Sequence, residues 1–268
     1  MSFIQITDPH FVPGDELLYD MSPRARLAEG IALINREHAS EDFVLVTGDL
    51  THFGHEAAYA TLKETLADLD LPYHLLMGNH DSRAPFRRVF PDAPEIDGGF
   101  VQFAVETGGL RVICLDTLNE DSGNHHAGRI CATRLRWLDA EISATPPDVR
   151  MVVAAHHPFF DLGIQYMDDV KLQDPGALLE VLERRKPDLY LFGHIHRPIC
   201  GVYEGIPFHT LRAFNHQVAL IFERTTDLVF EQEHPDIAIV RPNDAGVSVF
   251  TRSVGPKPRT FEGFRVVI

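Results

Sequence analysis

The chain has 268 residues, 44% of them hydrophobic and 24% charged, with a formal net charge of −15. These values fit one large globular domain, or one domain with an appendage. They argue against a nucleic-acid-wrapping protein, because no basic stripe interrupts the acidic balance and the Arg and Lys residues are scattered in pairs such as Arg87-Arg88 and Arg184-Arg185. No run approaches the roughly 18–20 apolar residues of a membrane helix. The N-terminus lacks the basic start and long apolar run of a secretory leader, so a cytoplasmic location without membrane contact is expected.

Ser2–Thr7 reads as a buried strand, and Arg24–His38 as a helix with Leu27, Ile31 and Ile34 at helical spacing. Phe43–Thr47 is an apolar strand, Glu56–Leu69 a helix and Tyr73–Met77 a strand. Strands over Gly99–Glu106 and Leu110–Asp116 flank Gly108-Gly109, a hairpin signal. A helix near Thr133–Ser143 stops at Pro146-Pro147, followed by strand Met151–Ala155, helix Gly176–Arg185 and strand Leu189–Phe192. Such alternation predicts an α/β architecture with helices covering sheet faces. From Ile199 onward short strands alternate with Gly/Pro turns, and this tail is expected to be antiparallel. Its segments are Ile199–Tyr203, Pro207–Leu211, Gln217–Glu223, Asp227–Glu231, Asp236–Val240, Val247–Arg252 and Phe261–Ile268.

Five motifs stand just past predicted strand ends: Asp8-Pro9-His10, Gly48-Asp49, Gly78-Asn79-His80-Asp81, His156-His157 and Gly193-His194-Ile195-His196. Sites in open α/β sheets form at the carboxyl ends of strands. Asp8 and His10, two apart in extended chain, are expected to point the same way. The glycines at 48, 78 and 193 fit sharp exits with close backbone approach to metals or positive φ. Mixed carboxylate and imidazole ligands suit zinc, manganese, iron or cobalt rather than calcium. Six or seven such groups exceed one tetrahedral site and match two metals sharing a carboxylate. His38, His74, His125, His126 and His234 read as surface or loop residues. Cys114, Cys131 and Cys200 form no disulfide framework; Cys114 reads as core, and Cys200 as a candidate for the outer pocket wall.

In these motifs the sequence resembles the calcineurin-like metallophosphoesterase superfamily over roughly residues 2–225, nearest to bacterial class III cyclic nucleotide phosphodiesterases and glycerophosphodiesterases. The resemblance implies a four-layer αββα sandwich with two mixed β-sheets, over residues 1–224, and a strand-rich extension over 225–268 that caps the site or mediates dimerisation. It implies that Asp8, His10 and His196 bind one divalent or mixed-valence transition metal ion (Fe, Mn, Zn or Co), that Asn79, His156 and His194 bind a second, and that Asp49 bridges them. His80 would contact the phosphate or leaving group, with Asp49 and Asn79 also in the catalytic set. Asp81 would either fix an imidazole or cap its loop. Tyr19, Phe160 and His216, with Asn79 and His80, are candidates for the substrate pocket. The implied reaction is hydrolysis of a small phosphodiester, a cyclic nucleotide or glycerophosphodiester, by in-line attack of a metal-bridging hydroxide. A phosphomonoesterase is the alternative, with a nuclease or a non-catalytic scaffold behind it. No nucleic acid polymer is expected as a partner, and a homodimer or higher homo-oligomer is.

Overall fold

A computed structural model describes residues 2–121, 123–223 and 228–256. The expected strand over Phe261–Ile268 lies outside the described residues, as does Asp227 of the strand expected there. In chain order the elements are β1 (Phe3–Ile6), α1 (Pro23–Glu37), β2 (Val44–Val46), α2 (Glu56–Leu66), β3 (Tyr73–Leu75) and α3 (Arg83–Val89). Then come β4 (Phe103–Thr107), β5 (Leu110–Cys114), α4 (Ala132–Ala144), β6 (Arg150–Ala154), α5 (Gln165–Asp168), α6 (Gly176–Arg184) and β7 (Leu189–Leu191). The last are β8 (Ile199–Tyr203), β9 (Ile206–Thr210), β10 (Gln217–Val218), β11 (Phe230–Glu231), β12 (Asp236–Asn243) and β13 (Gly246–Ser253).

Two mixed sheets form the centre. The first has the order β13-β12-β1-β2-β3, and the second β4-β5-β6-β7-β9-β8. β1, β2 and β3 are parallel, as are β5, β6 and β7, so each sheet directs several carboxyl ends to one side. The sandwich follows from side-chain alternation in strands buried on both faces. Leu110, Val112, Cys114, Val152, Ala154, Leu189 and Leu191 join the core shared with the first sheet. Their neighbours Ile113, Met151, Val153, Tyr190 and Phe192 join a second core with Leu138 and Ile142 of α4 and Leu178 and Leu182 of α6. On the far side, Leu27, Ile31 and Ile34 of α1 and Tyr59 and Leu62 of α2 cover the first sheet. The result is the expected four-layer αββα arrangement. Each fully buried Val, Leu or Ile contributes about 1.5–3 kcal/mol.

Local sequence explains the start of α1. Ser22 caps α1, its hydroxyl accepting from Ala25 N at 3.1 Å, and Pro23 occupies the first turn, where no N–H is needed. The short α3 has no sequence signal beyond Ser82, and Pro85 disguises it, although proline is tolerated in a first helical turn. The tail is not wholly antiparallel, since β9 runs parallel beside β7. Nor do its last strands stand apart. β12 pairs with β1 and β13 with β12, so residues 236–253 complete the first sheet. No helix among the described residues is long and apolar enough to cross a membrane.

His209 of β9 links the two sheets, its Nε2 lying 3.1 Å from Thr251 Oγ1 of β13, while its buried Nδ1 has no partner among the described residues. Burial lowers His209 to about 4. A histidine kept neutral by the fold contributes stability that is complete above its unfolded value near 6.5 and is lost as pH falls toward 4. His209→Gln should therefore flatten the fall in thermal midpoint between pH 6.5 and 4, followed by circular dichroism; an unchanged pH slope would exclude His209 as a source of acid sensitivity.

Candidate metal centre

The five motifs leave five parallel strands at the same end of the sandwich. Asp8 and His10 follow β1, Asp49 follows β2, and Asn79 and His80 follow β3; His156 follows β6, and His194 and His196 follow β7. The turns are abrupt rather than extended. Asp8 (φ 52°), His10 (46°), Asp49 (47°), His194 (67°) and His196 (56°) all adopt the left-handed conformation. The expectation that Asp8 and His10 align because the chain is extended is therefore corrected: left-handed kinks aim them. Such conformations cost on the order of 1–3 kcal/mol each and persist only where surrounding structure over-determines them.

Glycines make the kinks possible. Gly48 has φ 98°, and a Cβ there would lie 2.4 Å from His156 Nδ1. At Gly193 a Cβ would lie 2.2 Å from Thr7 Oγ1, so this glycine admits a carboxylate-bearing loop. Asp81 holds the turns together. Its carboxylate accepts from Leu50 N (3.0 Å), Thr51 N (3.0 Å), Gly78 N (2.9 Å) and Tyr59 Oη (2.9 Å). It thus ties its own loop to the Asp49 loop and bonds no imidazole among the described residues.

Lone pairs converge at the centre. His196 Nδ1 donates to His216 O at 2.7 Å and His156 Nδ1 to Thr47 O at 2.9 Å, which leaves each Nε2 facing inward. His196 Nε2 lies 3.3 Å from Asp8 Oδ1 and 3.1 Å from His10 Nε2, which is itself 3.4 Å from Asp49 Oδ2. Asp8, His10, Asp49 and His196 can together hold one metal ion. On the other side of Asp49, His156 Nε2 is 3.4 Å from Asp49 Oδ1 and 3.1 Å from Asn79 Oδ1. His194 Nε2 is buried without a hydrogen-bond partner among the described residues, with its ring 5.1 Å from that of His156. Acceptors packed this way need a cation between them. His156, His157 and His194 form a further group able to hold an ion. Both nitrogens of His157 already have partners, however: Thr117 Oγ1 at 2.7 Å and His126 O at 3.2 Å.

Electrostatics agrees with this geometry. Burial holds His10 and His194 well below the ordinary imidazole value, so both present lone pairs. Burial alone would raise Asp49, but His156, His80 and His10 outweigh it and keep the carboxylate ionised. Burial also disfavours a charged His156, yet Asp49 overcomes it and raises this histidine to about 9. A proton is thus drawn to the point where a cation would sit.

A cavity of about 220 Å³ opens over this centre. Tyr19, Asn79, His80 and His216 line it. Tyr19 sits in a tight left-handed turn (φ 53°) with its ring 4.8 Å from His216 and 4.4 Å from Phe230. Phe160 does not line it. Phe160 packs against Tyr203 (4.7 Å) and Phe208 (4.6 Å) in the second core, because a fully apolar ring gains more there than at a wet rim. Cys200 is exposed on β8 and is no part of the pocket wall, while Cys114 is core. His126 is exposed in a loop, and from there it also lines the cavity and accepts from Asn79 Nδ2 at 3.3 Å. His52 also lines it and was not singled out in the sequence, although it stands only three residues beyond Asp49. Tyr166, Met167, Val170, Val218, Leu228 and Phe230 complete the wall, and nothing in their local sequence marks them.

Residues 1–198 match the family model for calcineurin-like phosphoesterases. The chain belongs to the calcineurin-like phosphoesterase family. The phosphoesterase is 44% identical over 241 residues to a probable cyclic nucleotide phosphodiesterase of Rhodopseudomonas palustris, covering 90% of this chain and 88% of that protein. It is 28% identical over 268 residues to a probable glycerophosphodiester phosphodiesterase of Arcobacter nitrofigilis, covering 98% and 95%. The fold of a dimetal phosphatase from Danio rerio superimposes with a TM-score of 0.64 at 17% identity, covering 95% of the phosphoesterase and 99% of that chain.

Asp81→Ala would leave three backbone N–H groups of the phosphoesterase without their acceptor. The variant should lose about 3 kcal/mol or more in urea unfolding; a loss below about 1 kcal/mol would show that the loops hold themselves.

Proposed function

We propose that the phosphoesterase is a binuclear metal-dependent phosphodiesterase acting on small diesters, cyclic nucleotides or glycerophosphodiesters. The observation that carries this reading is the convergence of unbalanced acceptors from Asp8, His10, His196, Asn79, His156 and His194 on the two sides of Asp49, at the floor of one cavity. Asp8, His10 and His196 would hold one ion and Asn79, His156 and His194 the other, with Asp49 between them. The donor set suits Fe, Mn, Zn or Co. When bound, the ions supply Lewis acidity and lower the pKa of water toward about 7.

The chain's own groups orient the rest. The backbone N–H of His80 donates to Asp49 Oδ1 at 2.9 Å, and its Nδ1 donates to His52 O at 2.9 Å. His80 Nε2 is thereby left for the substrate, where its protonated form donates to a phosphoryl or leaving oxygen. No Lys or Arg lines the cavity among the described residues. A monoester dianion would lack a cationic side-chain clamp there, which favours the singly charged diester. The aromatic wall of Tyr19, Tyr166 and Phe230 favours a ligand with a flat base, and so a cyclic nucleotide. The probable cyclic nucleotide phosphodiesterase noted above supports the same choice.

The deciding experiment is a rate comparison on metal-reconstituted protein among bis(p-nitrophenyl) phosphate, p-nitrophenyl phosphate, 3′,5′-cyclic AMP, 2′,3′-cyclic AMP and glycerophosphoethanolamine. Diesters should dominate; a strong monoester preference would overturn the reading. Asp49→Ala should lose metal and activity together. His80→Ala should keep its metals and lose about 10²-fold or more in kcat, and full turnover by this variant on every diester would remove His80 from the mechanism.

The reading includes a homodimer. Among the described residues β13 is the edge strand of the first sheet, and it carries Phe250, 57% exposed, which supports pairing along this edge. Phe250→Glu should then sediment as a monomer, whereas an unchanged sedimentation coefficient would place any interface elsewhere.

A further inference from the structure

Each imidazole placed at the metals needs a partner on its second nitrogen to fix its tautomer and ring angle. For His156, His196 and the neighbouring His80 that partner is a backbone carbonyl. His10 differs. Its Nδ1 lies 3.2 Å from Nδ1 of His52, so a side chain takes the place of the carbonyl. Two bare nitrogens would repel at this distance, so one of them carries a proton. His10 Nε2 faces His196 Nε2 and Asp49, which reserves it as the lone-pair atom. The proton therefore sits on His10 Nδ1 and is donated to His52 Nδ1. A neutral His52 that accepts through Nδ1 must carry its own proton on Nε2.

The placement of His52 gives that N–H a use. The side chain is 9% exposed and lines the cavity. Its ring stacks on His80 at 4.9 Å with an interplanar angle of 17°, and Tyr19 meets it edge-on at 5.8 Å. Its Nε2 has no partner among the described residues. We propose that His52 has two tasks: it positions His10 for the metal through Nδ1, and it presents Nε2–H to an oxygen of the bound diester beside His80. The second task rests on the phosphodiesterase reading above; the first does not.

The test separates them. Chelator-treated full-length protein and its His52→Phe and His52→Asp variants would be titrated calorimetrically with Mn2+ alone, with thermal melts confirming that each variant is folded. His52→Phe keeps a ring over His80 but offers His10 no acceptor, and should weaken Mn2+ binding about 10–100-fold. His52→Asp restores an acceptor and should bind within about threefold of the wild type. Wild-type affinity in His52→Phe, or no recovery in His52→Asp, would overturn the positioning role. Long-range 1H–15N spectra of the wild-type protein should show His52 protonated at Nε2 and bare at Nδ1; the opposite tautomer would also overturn it. At saturating Mn2+, His52→Asp lacks the N–H donor and should raise KM for the best diester about tenfold with a smaller change in kcat. An unchanged KM would remove the substrate contact and leave the positioning role standing. A wild-type protein that turned over no diester would refute the phosphodiesterase reading, and the substrate contact with it, while the Mn2+ titration still judged the contact to His10.

Discussion

Acceptor atoms that cannot satisfy one another are forced together at the centre of this protein. Two carboxylates, an amide oxygen and several imidazole nitrogens meet there with neighbouring contacts of 3.1–3.4 Å. Nothing in such a cluster is attractive until positive charge enters it. The surrounding structure can be understood as the frame that holds it together. Backbone N–H groups supply some compensation: His80 N donates to Asp49, and His194 N donates to Asp8 at 3.2 Å. Cations would supply the rest.

The frame is the meeting of two sheets. Gln5 of β1 donates to Thr47 Oγ1 (3.1 Å) and to Phe192 O (3.1 Å), joining the first sheet to the end of β7. His156 reaches back across the same gap to Thr47 O. Apolar packing between the sheets is non-directional, whereas these polar contacts set the register of one strand end against the other. Left-handed residues then turn each chain back as it leaves its strand, and Asp81 locks two of the turns to each other. Strain, close glycine contacts and buried hydrogen bonds collect in this small volume because the rest of the sandwich is stable enough to impose them.

Much of this was legible in the chain. The strand–helix alternation, the hairpin at Gly108-Gly109 and the positions of the motif residues after their strands follow from periodicity and turn chemistry, which act within a few residues. The tail was harder. Nothing local says that β12 pairs with β1, more than 230 residues away, or that β9 lies parallel to β7. Phe160 was misplaced because an aromatic pair after a metal-ligand motif reads equally well as pocket wall or core, and only the direction of the chain after Pro158 separates the two. The cavity positions of His52 and His126 are illegible for the opposite reason: a histidine in a loop carries no periodic signal, and its value depends on what the fold puts beside it.

The amino-acid sequence by itself determined the chemistry: which side chains could bind metal, that there are too many for one tetrahedral ion, and which strands deliver them. Those are properties of residue type and near-neighbour spacing. Only the tertiary structure decided that Asp81 binds backbone rather than imidazole, that Phe160 packs in the core, and that His52 stands behind His10. Each of these depends on distances between segments far apart in the chain, and such distances exist only once the two sheets have packed.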